Sequence, residues 1–198
     1  MKKRLSVLLL AGCLASAAQA VPWAVQIRNA AGQPLADAAV GVEVNGRPLK
    51  ASSAKAEMGQ RDRQFAPQFL IIQTGTAVNF PNFDTVRHHV YSFSPIKVFE
   101  TKLYSGTPSE PIVFDKPGVA TLGCNIHDRM SAHIIVLDTP LFAKTDASGI
   151  ARFDLPAGEH QLKIWHGSMK KDQLQSQALV VSAGTNGSGG QTTISLAE

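Results

Sequence analysis

The sequence predicts an all-β protein of Greek-key sandwich architecture, and two observations carry that expectation. Short runs that alternate apolar with polar residues, or that are rich in β-branched and aromatic residues, recur along the chain. Gly, Pro, Asn and Asp turn signals separate them at short intervals. Neither a sustained helical period nor a membrane-length apolar run competes with this pattern.

Taken in order, residues 24–28 alternate and residues 29–34 turn. Residues 39–44 alternate again before Asn45-Gly46, a hairpin signal. Residues 50–60 are more polar. Residues 69–72 and 77–80 read as strands on either side of Thr74-Gly75-Thr76, and residues 90–93, 112–114 and 120–122 continue the pattern. Residues 133–137 are apolar and β-branched enough for a buried strand. Residues 143–153 read as strand, Asp/Gly turn, strand. Residues 155–160, including His160, read as a turn, and residues 161–165 alternate. A Gly/Ser/Asn-rich loop over 182–191 precedes a last strand at 192–196.

The first twenty residues stand apart. Met1-Lys2-Lys3-Arg4 is positive, residues 5–15 are apolar, and Ala18-Gln19-Ala20 is a small-x-small cleavage signal. Residues 1–20 are therefore expected to be a secretory signal peptide delivering a periplasmic protein. Leu10-Ala11-Gly12-Cys13 also fits the box at which lipoproteins are cut and acylated, so an outer-membrane lipoprotein anchored at Cys13 is the alternative. Soluble export is preferred, because the apolar stretch before Cys13 is short and the small-x-small site follows it. No membrane span is expected.

Removing this segment changes two readings. Lys2, Lys3 and Arg4 supply three of the four net positive charges, so the mature chain carries about +1 and no nucleic-acid surface is expected. Cys124 becomes the only cysteine. An unpaired thiol in an oxidising compartment invites oxidation unless something occupies it, and a metal ion is the natural occupant. The competing reading is a small buried apolar residue.

The sharpest motif is Gly123-Cys124-Asn125-Ile126-His127-Asp128-Arg129-Met130, which offers thiolate, imidazole and thioether from one short loop between two strands. Thiolate and thioether select copper, and imidazole accepts it. A trigonal site with two histidines and one cysteine needs one more imidazole. Upstream lie His88 and His89, which face opposite ways on a regular strand, so only one reaches the loop. No Ser/His/Asp set, paired carboxylates or phosphate-cradling glycine loop argues for an enzyme.

Cys-x-x-His-x-x-Met resembles the ligand loop of amicyanin-type blue copper proteins. His88-His89-Val90 resembles the His-Asn-Val of their earlier strand, which places His88 as the ligand in preference to His89. Val113-Phe114-Asp115-Lys116-Pro117-Gly118 and the strand pair at 68–80 are similar to plastocyanin-like domains. The resemblance covers roughly residues 57–138 and implies a cupredoxin binding one copper ion through His88, Cys124, His127 and Met130. Its implied function is outer-sphere electron transfer with an exported cytochrome or oxidase, met at His127. A copper carrier or buffer, or a β-sandwich binding module without metal, are the alternatives.

The chain departs from the family in two places. His89 stands where Asn usually ties the ligand loops together, and Leu122-Gly123 replaces the aromatic residue often found before the cysteine. Glu100 is read as a solvated charge paired with Lys102. His133 and His166 are read as packed or surface histidines outside the site.

Thr145-Asp146-Ala147-Ser148-Gly149 through Leu155-Pro156-Ala157-Gly158, with Gly32-Gln33-Pro34-Leu35 through Val40, resembles a carboxypeptidase-regulatory-like (transthyretin-like) sandwich. This resemblance implies a discontinuous sandwich, 21–50 plus 139–198, with the cupredoxin domain inserted at 51–138. One continuous larger sandwich is the alternative. Chains that combine the two resemble exported proteins labelled as methylamine-utilisation proteins.

Overall fold

The structure is a computed structural model that describes residues 20–46, 52–170, 172–182 and 188–197. The expected signal segment and Cys13 lie outside the described residues, apart from Ala20. Among the described residues the chain is all-β, and no helix is long and apolar enough to cross a membrane.

Two sheets enclose the first core. One has the order β14-β1-β17, with β1 (Ala20–Arg28) antiparallel to β14 (Ile150–Pro156) and parallel to β17 (Gly190–Ser195). The other has the order β13-β2-β15-β16, from Leu141–Lys144, Ala39–Val44, Gly158–Trp165 and Gln175–Val181. Alternate residues point inward, as the period-two pattern requires. Val25 and Ile27 meet Val40, Val42, Phe153, Leu155, Leu162 and Ile164 in a core drawn from residues 21–44 and 141–196.

The second core lies between two further sheets. One is β10-β7-β3, from Ile112–Phe114, Thr76–Asn79 and Lys55–Glu57. The other is β6-β12-β11-β8-β9, from Phe69–Gln73, Ser131–Leu137, Gly118–Cys124, Val90–Ser94 and Lys97–Glu100. Val78, Phe114, Leu122, Ile134 and Val136 fill it, together with Cys124 and Met130. A small hairpin, β4 (Gly59–Arg61) and β5 (Gln64–Ala66), closes one side through Phe65.

The two cores touch through strands buried on both faces. On β12, Ile134 and Val136 enter the second core, while Ile135 and Leu137 turn outward to meet Ala39 of β2 and Trp165 of β15. Contact this close needs small residues on β2. A Cβ at Gly41 would lie 2.6 Å from Thr139 Oγ1 and 3.1 Å from Leu137 Cδ1.

The Thr-Asp-x-x-Gly turn has a clear physical basis. Asp146 Oδ1 accepts from the Ser148 and Ile150 N–H groups at 2.9 and 3.1 Å. Gly149 sits at φ 72°, and a Cβ there would come within 2.5 Å of the Ile27 carbonyl oxygen. Only glycine fits both demands.

Three local expectations differ from the structure. Asn45 and Gly46 do take positive φ values (50° and 64°), but β2 pairs with β13 and β15, so this turn leads the chain out of the sheet instead of closing a hairpin. Residues 155–160 are not an extended turn, since β14 runs to Pro156 and β15 begins at Gly158. His160 is therefore a buried strand residue. Its Nδ1 accepts from Asn45 N–H, and its Nε2 donates to the Pro156 carbonyl at 2.9 Å.

Two outcomes follow from the contact between the cores. Gly41→Val forces a side chain into Leu137 and Thr139, and urea denaturation should show a loss of about 1–3 kcal/mol. His133 packs its ring 4.8 Å from Trp165, and burial lowers its pKa despite Asp172 nearby. The unfolded imidazole binds a proton near its usual value of about 6.5 and the folded one only at lower pH. The unfolded state then holds more protons below about pH 6.5, so stability falls with pH there. Thermal melts from pH 7 to 5 should show His133→Gln flattening that fall.

Candidate metal centre

The β11–β12 pair frames a loop by matching Gly123 to Ser131, so residues 124–130 project together from one sheet end. Inside the loop, His127 N–H donates to the Cys124 carbonyl at 3.3 Å and Met130 N–H to the His127 carbonyl at 2.9 Å. β8 lies on the other side of β11, with Val90 opposite Cys124, which brings His88 to the thiol. His88 is held in turn by Tyr104, each donating its backbone N–H to the other's carbonyl at 2.9 Å.

His88, Cys124 and His127 converge, with one donor atom from each within 4.8 Å of the others. Cys124 Sγ lies 3.6 Å from His88 Nδ1 and 3.7 Å from His127 Nδ1. First-row ions bind nitrogen at about 2.0 Å and sulfur at about 2.3 Å, so donors 120° apart around one ion are about 3.7 Å from each other. The spacing suits one trigonally held ion. Met130 is 1% exposed and packs in the same core as Cys124. His88 is fully buried, whereas His127 is half-buried beside the exposed Ile126.

The far nitrogen of His88 is also occupied. Its Nε2–H donates to Asp84 Oδ2 at 2.8 Å, which leaves the Nδ1 lone pair free to face the sulfur. Burial raises the Asp84 pKa, but hydrogen bonds from Arg63 N–H, His88 and Asp62 N–H outweigh it and hold the carboxyl below its usual value. Tyr104 is pushed up to about 12, mainly by burial, with Cys124 adding to the shift, so its hydroxyl stays protonated and donates to the Phe80 carbonyl at 2.7 Å.

The neighbouring histidine takes a different role. His89 turns its ring away, with Nε2 3.7 Å from Glu100 Oε2, so Glu100 faces His89 where Lys102 was the expected partner. The His89 carbonyl accepts from Asn125 N–H at 3.1 Å. That backbone bond ties together the two segments that carry the converging groups. A Cβ at Gly123 would meet Tyr91 Cζ at 2.5 Å, so the Tyr91 ring from β8 fills that space. Asp84, Tyr91 and Tyr104 were not among the site residues expected from the sequence. Asp84 four residues before His88 was the one available signal.

Metal titration of single variants separates the adjacent histidines. His88→Ala should abolish stoichiometric high-affinity binding, while His89→Ala should keep a one-to-one endpoint.

No family model matches the chain, and no curated protein does. Solved structures match part of it. A purple cupredoxin from Nitrosopumilus maritimus is 22% identical, covering 43% of this chain and 100% of that one, at TM-score 0.37. A copper-containing nitrite reductase from Thermus scotoductus is 27% identical, covering 51% of this chain and 26% of that one, at TM-score 0.39. A reduced amicyanin variant is 12% identical, covering 49% and 99%, at TM-score 0.39. Each of these similarities spans about half of this chain.

Proposed function

We propose that this chain is an exported single-copper protein that carries electrons, in which His88, Cys124 and His127 would hold the ion and Met130 would add a weaker thioether ligand. The observation that carries this reading is the convergence of two imidazole Nδ1 atoms on one thiol sulfur, at 3.6 and 3.7 Å. A thiolate and a thioether buried in the same core favour copper over harder ions. Bound copper supplies a one-electron Cu(II)/Cu(I) couple. The chain supplies donors whose positions are set by a strand pair, a buried hydrogen bond and close packing, so they have little room to rearrange.

Burial favours electron carriage over copper delivery. Delivery requires an incoming ligand to displace the donors one by one, yet His88, Cys124 and Met130 are each at most 4% exposed. His127, half-buried beside Ile126 at 47% exposure, is the natural contact for a redox partner such as an exported cytochrome or oxidase. Residues 51–138 form the copper-binding unit in this reading. Residues 21–50 and 139–198 form a regulatory-like sandwich that docks or positions it, supported by the division of the buried side chains into separate cores. Export to the periplasm rests on the amino-terminal sequence.

Adding Cu(II) to the purified protein tests the reading. One equivalent should produce an intense visible thiolate-to-copper band that Cys124→Ser abolishes. Lack of stoichiometric uptake overturns the proposal. Reversible voltammetry with slow release to a chelator supports electron carriage, and rapid release shifts the assignment to a carrier.

A further inference from the structure

The hairpin β4–β5 reaches His88 from two directions. At its tip, the N–H groups of Asp62 and Arg63 donate to Asp84 Oδ1 and Oδ2 at 2.7 and 3.0 Å. Asp84 Oδ2 also receives the His88 Nε2–H at 2.8 Å. At its base, the Gln60 amide donates to the Tyr104 hydroxyl, and Tyr104 is paired through its backbone with His88. We propose that this hairpin is the positioning element for His88, fixing the ring's tautomer through Asp84 and its backbone through Tyr104. The proposal deepens the reading of His88 as a copper ligand and rests on it for the effect on metal affinity.

The chemistry at the tip is selective. Three N–H groups converge on two oxygens, and only a carboxylate accepts at both ends. An amide at position 84 would turn its NH2 toward either the Asp62 or the Arg63 N–H. The turn itself points the same way. Asp62 and Arg63 both sit in the left-handed region, at φ 54° and 58°, though neither is glycine. Two successive left-handed residues aim adjacent N–H groups at one anion. Such a conformation persists where its surroundings over-determine it.

Those surroundings are present. Phe65 and Met58 are buried in the second core beside the hairpin. Gln60 N–H donates to the Pro81 carbonyl and Phe83 N–H to the Gln60 carbonyl, both at 2.9 Å. The Arg61 guanidinium lies 4.9 Å from the Phe83 ring centroid. Asp84 N–H donates to Asn82 Oδ1 at 2.9 Å, which sets the direction of the carboxylate from its own side. His88 thus keeps Nε2–H toward Asp84 and presents Nδ1 to Cys124 Sγ.

The test compares the full chain with four variants: Asp84→Ala, Asp84→Asn, Asp62→Asn combined with Arg63→Gly, and the Asp62-Arg63 pair replaced by a Gly-Ser-Gly-Ser turn. Long-range 1H–15N spectra at pH 8, before copper is added, read the His88 tautomer. Chelator competition reads copper affinity. The Asn-Gly variant keeps a left-handed turn and both N–H groups, and should match the original chain in both measurements. Asp84→Ala should mix the tautomers and lower affinity about 10–100-fold. The four-residue turn should shift both readouts in the same direction by a smaller factor.

Folded Asp84→Ala and four-residue-turn variants with unchanged tautomer and affinity would overturn the proposal, even if their melting temperatures fall. If Asp84→Ala does not fold, the near-isosteric Asp84→Asn decides by the same spectra. If the original chain takes up no copper, the proposed function fails, while the tautomer spectra still judge the hairpin's role.

Discussion

A histidine with no exposed surface must have both ring nitrogens answered from within the protein, because an unpaired buried polar group costs about 1–3 kcal/mol. His88 is such a residue. Its Nε2–H goes to Asp84, a charge-assisted bond of the kind that contributes about 1.5–3 kcal/mol. The remaining nitrogen faces the Cys124 sulfur. Much of the surrounding architecture serves this arrangement. β8 brings His88 beside β11, Tyr104 pins its backbone, and the β4–β5 turn supplies the donors that keep the Asp84 carboxylate charged and oriented.

The loop on the other side is organised more simply. Cys124, His127 and Met130 come from one stretch of chain whose ends are fixed by the Gly123–Ser131 strand pair. Hydrogen bonds inside the loop turn the backbone so that His127 and Met130 follow the thiol at three-residue intervals. One further backbone bond, from Asn125 to His89, joins this loop to the segment that carries His88. The carbonyl of His89 is the acceptor of that bond, and the Tyr91 ring occupies the space left by Gly123.

Contact between the two cores depends on strands that bury both faces. β12 is a nearly continuous apolar run for this reason, and β2 buries Ala39 through Val42 in succession where simple alternation was expected. Ala39 and Gly41 keep β2 thin enough for Leu137 and Thr139 to approach. The contact places Trp165 and the His133 ring against each other next to the sheet that carries Cys124. A substitution there acts on packing between the cores without touching the converging donor groups.

Local pattern was enough for the all-β class, because a period of two shows in a few adjacent residues. The Cys124–His127–Met130 loop was equally legible, since its groups are neighbours in the chain. The preference for His88 over His89 needed a family resemblance, because alternation says only that they face opposite ways. The β4–β5 hairpin has no counterpart among the strands expected from the sequence: its strands are three residues each and its Asp-Arg turn carries no glycine or asparagine signal. The approach of Glu100 to His89 and the burial of His160 were equally hidden, because each depends on which strand lies alongside. The amino-acid sequence by itself determined the strand-forming segments and the chemistry of the donor loop. Only the tertiary structure decided which histidine turns toward the thiol and what holds its other nitrogen, because those contacts join residues that are distant in the chain.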